Sequence, residues 1–484
     1  MWSCLDNPTG DTRDVVICSV PWTDSNMPLM APAALKPIVE QAGLSCLAVD
    51  LNAEVYHYTR NHPLIEDLIK FFFDEVGTPQ AVPVIEHIYT TIAQEIVAWK
   101  PRYVGLSVFT YVCQHSAKWI AYYIKRLDPT IRIIAGGAGC LPNFTGPSEY
   151  VDQMLAQGLF DYHIRGDGEN SLYELLTGND TYSGINSLDW TELDQTQLRK
   201  LPTPDYSHYN FSLYDRQALP ILGSRGCVRQ CKFCDYIANW QRFQWRTADD
   251  IFQEMLYQSS RYNVSFFKFQ DSLVNGNLKE FNKLIRLLAQ HNLAPGNRRL
   301  SWSGFYIFRE ATARHEQEWQ LLADSGAETL AVGIENLNEH IRFAIGKKFT
   351  NLAIDLHLAQ AQHHGIQLVI LNIVGYVNEV QADIDFIKQW LHDHTQYCDT
   401  IMFQWGGTLG IFPNTYLERN REKLGVRMIG LQPNLWVNDS TGSTPTLRAK
   451  WATELNQFSK KLGFRVFEGL DNHFLLETLI KTNE

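Results

Sequence analysis

The sequence predicts an α/β protein with two domains in succession, a doubly wound parallel sheet followed by a partial barrel. With 484 residues, the chain is too long for one ordinary hydrophobic core. Short apolar runs alternate with helix-like segments along most of it, which is the pattern of parallel strands joined by crossover helices. A polar stretch over 179–203 runs into Pro202 and Pro204 and indicates a linker between two alternating regions.

The first region carries five apolar runs that are predicted as strands. They cover residues 15–20, 44–50, 103–109, 131–135 and 161–168. Ligands of such sheets bind at the carboxyl ends of the strands, so residues 21–26, 107–110 and 136–139 are expected to line a site. The glycine-rich run 136–139 is compatible with close approach to a phosphate-like ligand and equally with a plain turn.

The second region repeats the alternation about six times, which predicts a barrel or part of one. Its expected strands are 219–223, 265–269, 300–305, 329–334 and 367–374, and its expected helices are 249–260, 279–290, 316–325, 352–364 and 382–392. Asp271, Glu335 and the segment 375–379 each follow a strand and are therefore expected at one rim. The expected domains are 1–190, a linker 191–215, the barrel 216–429 and a small C-terminal extension 430–484.

Three cysteines, Cys227, Cys231 and Cys234, stand in one short run. Thiolates at this spacing can hold three corners of a cubane [4Fe–4S] cluster, and no fourth cysteine follows, so one iron would stay open to another ligand. A zinc site would need a fourth ligand, and no nearby histidine is a convincing one. A ferredoxin-like cluster would need a fourth cysteine, but Cys398 is distant. The run predicts redox-initiated chemistry.

Composition narrows the classes of partner. Lys and Arg number 42 against 53 Asp and Glu, a formal net charge of -11, which argues against a broad nucleic-acid surface. No apolar run is long enough to span a bilayer, and the first residues lack the order of a signal peptide. The nine cysteines, an odd number, are mostly scattered singly and do not suggest a disulfide framework. We expect a cytoplasmic protein with neither nucleic acid nor membrane as partner.

The cysteine run, with the aromatic Phe233 before its last cysteine, resembles the radical S-adenosylmethionine (radical SAM) superfamily. The resemblance implies that Cys227, Cys231 and Cys234 hold a [4Fe–4S] cluster whose open iron is chelated by S-adenosylmethionine (SAM). Reductive cleavage of SAM would release a 5′-deoxyadenosyl radical that removes a hydrogen atom from the substrate. An electron donor such as flavodoxin or ferredoxin is implied as a partner.

The resemblance extends over most of the chain. Glu335, at the end of its strand, looks like a position that contacts SAM, and Asp271 is a second candidate for cofactor binding. A helix N-terminal charge or a salt bridge would explain either carboxylate equally well. Residues 413–417 resemble the loop that often closes a radical SAM core.

The first domain resembles the Rossmann-like, cobalamin-binding-like domain that precedes many radical SAM cores. Residues 104–107, 134–137 and 161–169 carry this likeness. In cobalamin domains with a histidine ligand, an Asp-x-His-x-x-Gly signature follows the first strand, but residues 21–26 contain no histidine. The same letters occur around His163 on a late strand, which we interpret as a chance match. Because some members of the family bind cobalamin without that histidine, the resemblance still makes cobalamin a candidate cofactor.

The favoured function is radical SAM chemistry on a peptide or natural-product substrate, by cobalamin-dependent methyl transfer or a related C–H modification. An alternative is a cobalamin-independent radical peptide epimerase with Cys398 as the catalytic hydrogen donor, because a thiol gives up hydrogen readily. An inert packed thiol is the simpler interpretation of Cys398. A second alternative is a non-catalytic iron–sulfur binding protein.

Overall fold

The computed structural model describes residues 2–7, 9–23, 27–141, 149–312 and 316–467. The chain forms two compact units, Met1–Pro220 and Ile221–Glu484. Each unit is built around a sheet of largely parallel strands with helices between them. Within the described residues, no helix combines the length and the apolar character needed to cross a membrane.

The first unit contains a five-stranded parallel sheet. Its strands are β1 (Val15–Ser19), β2 (Cys46–Asp50), β3 (Tyr103–Ser107), β4 (Arg132–Gly136) and β5 (Tyr162–Ile164). The order is β2-β1-β3-β4-β5, and all neighbours run parallel. The direction of chain progression reverses between β1 and β3, which is where sheets of this order bind ligands.

Helices cover both faces of this sheet. They are α1 (Met30–Gln41), α2 (Leu51–Thr59), α3 (Ile65–Asp74), α4 (Ala81–Ala98), α5 (Gln114–Leu127), α6 (Tyr150–Ala156), α7 (Gly168–Leu176) and α8 (Gln195–Arg199). Alternate residues of β1 enter two apolar clusters: Val16 packs with Ile88 of α4, whereas Ile17 packs with Leu172 of α7. A strand buried on both faces gives a continuous apolar run, which is why its position was predictable.

The segment 191–215, which the sequence predicts as a linker, is part of the first unit and packs against its sheet. Lys36 forms an ion pair with Asp205 at 2.5 Å, and the Tyr214 hydroxyl donates to the buried carboxylate of Asp50 at 2.9 Å. The backbone N–H of Ala48, on the edge strand β2, donates to His208 Nδ1 at 3.3 Å. This segment covers the edge of the sheet.

The second unit contains a seven-stranded sheet and two small hairpins. Its strands are β6 (Ala218–Ile221), β7 (Ser224–Arg225), β8 (Gln244–Trp245), β9 (Phe266–Phe269), β10 (Ser301–Tyr306), β11 (Ala327–Glu335), β12 (Gln367–Val374), β13 (Ile401–Thr408), β14 (Val426–Met428), β15 (Trp436–Asn438) and β16 (Arg465–Val466). The large sheet has the order β16-β13-β12-β11-β10-β9-β6, with parallel pairing from β9 to β16. The pairs β7–β8 and β14–β15 are antiparallel.

The described part of this unit contains nine α-helices, and the longer ones between strands of the large sheet cover its outer face. The nine are α9 (Tyr236–Asn239), α10 (Ala248–Tyr262), α11 (Leu278–Leu293), α12 (Glu316–Asp324), α13 (Glu339–Ile345), α14 (Asn351–His363), α15 (Gln381–Asp393), α16 (Tyr416–Arg419) and α17 (Pro445–Lys461). Trp302 of β10 donates to Ser325, directly after α12, and Trp405 of β13 donates to Ser459 of α17, each at 3.0 Å. Along β12 fully buried residues alternate with half-buried ones, so the opposite face is the inner wall of a partial barrel.

Candidate functional site

The cysteine loop connects the hairpin strand β7 to α9, just beyond β6. Gly226 has φ +79, and a Cβ at this position would lie 2.1 Å from the carbonyl oxygen of Arg242, just before β8. Only glycine fits such a conformation against a neighbouring backbone. The hairpin therefore fixes where the loop departs, a feature that the sequence did not reveal.

The three thiols lie close enough to interact electrostatically. Cys231 is buried, whereas Cys227 and Cys234 are half-buried. The Arg229 N–H donates to Cys227 Sγ at 3.4 Å, and the Cys234 N–H donates to the Cys231 carbonyl at 3.1 Å. Burial raises the pKa of Cys231 and that of Cys234, the latter to about 11. Without a ligand, Cys231 and Cys234 would stay protonated, and a bound metal would favour their thiolate forms.

The donor set fits an iron–sulfur cluster better than a single metal ion. In the described part of the chain, no three His, Cys, Asp or Glu side chains converge on one ion position. A cubane cluster presents its irons at separate corners, so its thiolates surround a volume instead of meeting at a point. Three cysteines at one loop, with Cys398 elsewhere, match a [4Fe–4S] cluster with one open iron.

Two elements far along the chain hold the cysteine loop. The Lys232 N–H donates to the Ile345 carbonyl at the end of α13, at 3.1 Å. The Lys232 carbonyl accepts from the Leu417 N–H in α16, at 3.2 Å. Phe233 packs on an apolar cluster that includes Ile345 and Tyr376. The segment 413–417, expected to close the core, thus leads into a helix that bonds to the loop.

Asp271 lies beneath the entrance to the loop. It is 2% exposed, and its two carboxylate oxygens accept from the Gly223 N–H at 2.8 Å and the Ser224 hydroxyl at 2.5 Å. Burial raises the pKa of Asp271 to about 7. These contacts make Asp271 a positioning residue for the chain that enters the cysteine loop, and its predicted contact with SAM stays a prediction.

Glu335 ends β11 in an unusual conformation and pairs with a lysine. Its φ is +67, and the register with β12 shifts between Gly333 and Glu335. Lys347, 6% exposed, places its Nζ 3.1 Å from Glu335 Oε1. A Cβ on Gly333 would lie 2.5 Å from that oxygen, so a side chain at this position would displace the Glu335 carboxylate from its present place.

Lys347 also lies beside the cluster cysteines. Burial alone would lower its pKa, but the charges of Glu335, Cys231 and Cys227 outweigh burial and raise it. The ammonium therefore stays charged between a carboxylate and two candidate iron ligands. The inward placement of Lys347 was not predicted from the sequence. Gly333 in a strand interior was the available signal.

The loop after Glu335 is fixed from both sides. Glu379 is fully buried and accepts from the Gly375 N–H, the Tyr376 N–H and Asn336 Nδ2 at 2.5, 3.0 and 2.6 Å. Burial raises the pKa of Glu379 to about 7. Arg342, also fully buried, donates to the Asn336 carbonyl at 3.0 Å. Arg342 thus stabilises the backbone of this loop and does not bind a ligand.

Cys398 lies at the other end of the sheet. Asp271, Glu335 and Glu379 follow the carboxyl ends of β9, β11 and β12, whereas Cys398 precedes the amino end of the parallel strand β13. Its Sγ donates to the Leu462 carbonyl at 3.4 Å, and burial raises the pKa of the thiol. The structure therefore does not bring Cys398 to the rim that carries the cysteine loop.

In the first unit, the glycines after β4 make room for a neighbouring loop. Cβ atoms on Gly137 and Gly139 would lie 2.5 and 2.2 Å from the carbonyl oxygens of Val108 and Thr110. This close approach explains the glycines as a turn that accommodates the loop after β3, without a phosphate.

His163 is buried within β5, and burial lowers its pKa to about 4.

The reversal point between β1 and β3 carries an exposed aromatic side chain. Phe109, just after β3, is 50% exposed, which suits contact with a flat apolar group such as the corrin ring of cobalamin. Trp22 and Thr23 follow β1 and supply no histidine; residues 24–26 of the expected 21–26 site lie outside the described residues. The described residues fit cobalamin held without a histidine from this position.

Comparisons with known proteins agree with this geometry. Residues 221–391 match the Radical SAM superfamily. The chain is 24% identical over 294 residues to the anaerobic magnesium-protoporphyrin IX monomethyl ester cyclase of Synechocystis, covering 56% of this chain and 54% of that protein. It is 24% identical over 220 residues to the cytidylyl-2-hydroxyethylphosphonate methyltransferase of Streptomyces wedmorensis, covering 40% and 39%. The chain thus spans about half the length, or less, of these curated relatives.

Solved structures share the architecture of both units. The radical SAM methyltransferase TsrM from Kitasatospora setae, with tryptophan and a SAM analogue bound, matches with a TM-score of 0.66 at 17% identity, over 95% of this chain and 92% of that one. The cobalamin-dependent radical enzyme OxsB matches with a TM-score of 0.63 at 14% identity, over 97% and 73%.

These matches confirm the predicted fold, a doubly wound Rossmann-like first domain before a partial barrel. Over residues 221–391, within the second unit, the chain is similar to the Radical SAM superfamily.

Proposed function

We propose that this protein is a radical SAM enzyme that uses cobalamin as a second cofactor to transfer a methyl group to, or otherwise modify, a C–H position of a peptide or natural product. The observation that carries the proposal is the placement of the three-cysteine loop at the strand-end rim that also holds Glu335. The chain that holds this rim has the fold of cobalamin-dependent radical SAM enzymes.

The residues of this chain have distinct tasks in such a reaction. When bound, the cluster and SAM supply a carbon-centred radical, and cobalamin supplies a transferable methyl group. Cys227, Cys231 and Cys234 would hold the cluster, while Asp271 keeps the loop entrance in place. Lys347 keeps a positive charge beside the ligands and is paired with Glu335.

The inner wall of the partial barrel would receive the substrate. Val369, Leu371 and Ile373 are the three aliphatic residues among the four half-buried ones of β12, opposite the helix-covered face; Gln367, at the start of the strand, is the fourth. An aliphatic wall excludes water, which protects a reactive intermediate from side reactions. Such a wall suits an apolar region of the substrate around the carbon that reacts.

No observation favours the epimerase hypothesis. It rests on Cys398, which lies at the amino end of β13 and donates to Leu462, away from the rim with the cysteine loop. We therefore keep methyl transfer or a related C–H modification as the proposed reaction. A low-potential flavodoxin or ferredoxin would reduce the cluster, and we place this reaction in the cytoplasm, where such donors operate.

The test of the cluster and its chemistry uses the anaerobically reconstituted full chain. With SAM and a strong reductant, we expect about four irons per chain beyond adventitious iron and conversion of SAM to 5′-deoxyadenosine or S-adenosylhomocysteine. Cys227→Ala should lose both iron and SAM conversion, whereas Cys46→Ala, a buried cysteine of β2, should retain them. Equal SAM conversion by Cys227→Ala and the wild type would refute the proposal.

The second cofactor is tested by incubating the full chain with cobalamin and measuring the bound cobalamin by its visible absorbance. We expect the wild-type chain to retain cobalamin on gel filtration. Phe109→Ala should weaken retention, whereas Tyr173→Ala, an exposed aromatic of α7, should not. A wild-type chain that does not retain cobalamin would refute the proposal of methyl transfer through this cofactor. Only the proposed SAM chemistry would then remain.

A further inference from the structure

Lys232 connects the cysteine loop to the surface of the second unit. It stands between the ligands Cys231 and Cys234, and its carbonyl accepts from the Leu417 N–H of α16. Its ammonium lies 5.1 Å from the ring centroid of Tyr416, a cation–π distance. Tyr416 is 43% exposed, so a single residue separates a solvent-facing aromatic ring from the peptide that carries the cluster ligands.

The surface next to Tyr416 is positively charged. Arg419 ends α16, and Arg421 and Lys423 lie in the turn that follows; all three are exposed or half-exposed. The turn is ordered by backbone bonds, including that from the Arg421 N–H to the Glu418 carbonyl at 3.3 Å. The stretch 416–423 and Lys232 together carry four cations and only two carboxylates, Glu418 and Glu422. The chain as a whole has a net charge of -11.

A local excess of positive charge in an acidic protein is a candidate binding surface for a partner of negative charge. Surfaces of opposite charge steer two proteins together and orient them, and redox partners typically meet through small, transient interfaces of this kind. The cluster needs electrons from outside the chain, and electron transfer requires a short path between donor and acceptor. The charge and the short path coincide at Tyr416.

We propose that the basic patch, formed by Lys232, Tyr416, Arg419, Arg421 and Lys423, is the docking surface for an acidic one-electron carrier protein of the flavodoxin or ferredoxin type. The inference rests on the proposed function, because only a redox cluster requires such a partner. The carrier places its own cofactor over Tyr416, and one electron passes from the reduced carrier to the cluster, which oxidises the carrier and reduces the cluster by the same single electron.

The test compares two reductants on the reconstituted full chain. Cluster reduction is followed by stopped-flow absorbance with a reduced bacterial flavodoxin, and separately with photoreduced 5-deazariboflavin, a small reductant that needs no docking surface. The variant Arg419→Glu/Arg421→Glu is compared with Lys279→Glu/Arg286→Glu, which makes the same charge change on exposed residues of α11.

We expect the patch variant to slow reduction by flavodoxin at least tenfold at low salt and to lose the salt dependence of the rate. Its reduction by 5-deazariboflavin should match the wild type, and the α11 variant should behave as wild type with both. Unchanged reduction of the patch variant by flavodoxin, or an equal loss in the α11 variant, overturns the docking surface. A wild-type chain that neither reductant can reduce overturns the proposed function instead.

Discussion

Lys347 Nζ lies 3.1 Å from Glu335 Oε1, and the same ammonium interacts electrostatically with Cys231 and Cys227. The pair is almost fully buried, so solvent screens its charges poorly. A cluster held by these cysteines would therefore be exposed to one fixed positive charge and one fixed negative charge at close range. The balance between these two charges would influence the reduction potential of the cluster.

Removing the lysine charge should make the cluster harder to reduce. With Lys347→Met we expect the reduction potential of the reconstituted cluster to fall by tens of millivolts, an order of magnitude that follows from one unit charge at several ångströms. Glu335→Gln should shift it upward. The measurement is a redox titration followed by electron paramagnetic resonance. Lys348→Met, at the exposed neighbouring position, is the control, and a shift as large in that variant would contradict the assignment.

The conformation of Gly226 should be essential for cluster assembly. Gly226→Ala introduces a Cβ that would lie 2.1 Å from the Arg242 carbonyl oxygen, so the β7–β8 hairpin must open and the cysteine loop must shift. We expect a loss of more than about 2 kcal/mol in stability and a clear drop in iron per chain after reconstitution.

Gly296→Ala gives a matched control for that substitution. Gly296 has a similar φ of +82, but nothing lies within 4 Å of the position that a Cβ would occupy there. Only the backbone cost of about 1 kcal/mol should remain. Iron contents that fall equally in the two variants would show that the steric argument at Gly226 is wrong.

Burial of Glu379 should make stability depend on pH. Its pKa rises from 4.5 to about 7 in the folded chain, so between these values the folded state binds more protons than the unfolded state. Stability contributed by the protonated carboxyl is fully present below pH 4.5 and is lost as the pH rises through about 7. Over this window the loss is on the order of 3 kcal/mol.

The variant Glu379→Gln isolates this contribution. The difference in unfolding temperature between wild type and variant should decrease as the pH rises from about 4.5 to about 7.5 and then level off. Asp385→Asn, which alters an exposed carboxylate of α15, is the control variant. A pH-independent difference for Glu379→Gln would mean that this carboxyl titrates normally.

Cys398 should be dispensable for the radical chemistry. Because it lies before β13 and donates to Leu462, we expect Cys398→Ala to convert SAM and to form product at wild-type rates. The readout is the amount of SAM-derived product per chain, with Cys234→Ala as the inactive reference. Loss of product with intact SAM cleavage in Cys398→Ala would instead restore the hydrogen-donor hypothesis.

Much of the architecture was predictable because parallel strands buried on both faces give continuous apolar runs. The strand 367–374 coincides with β12 (Gln367–Val374), and the cysteine spacing singled out the loop that we propose as the cluster site. The helices α2 to α4 were missed, although α3 shows apolar residues at helical spacing around Phe72. Sequence spacing identifies elements, but it does not say which elements are inserted between strands.

The site was only partly predictable for a different reason. The strand-end position of Glu335 was predictable from the sequence, whereas its ion pair with the buried Lys347 was not. Arg448 illustrates the same limit: it is fully buried, its guanidinium lies 3.6 Å from the Trp436 ring centroid, and it occupies the space that a side chain at Gly375 would need. Such contacts join residues far apart in sequence, and no local pattern encodes them.

The two backbone bonds of Lys232 also order events during synthesis. One anchor, Ile345, and the other, Leu417, emerge from the ribosome long after the three cysteines, since chains are made from the N-terminus and domains fold as units. Until α16 has been made, the cysteines lie in a loop without its final support. Iron and sulfide would therefore be captured in a lasting way only after α16 has been made, so cofactor loading would follow the folding of these later elements of the second unit.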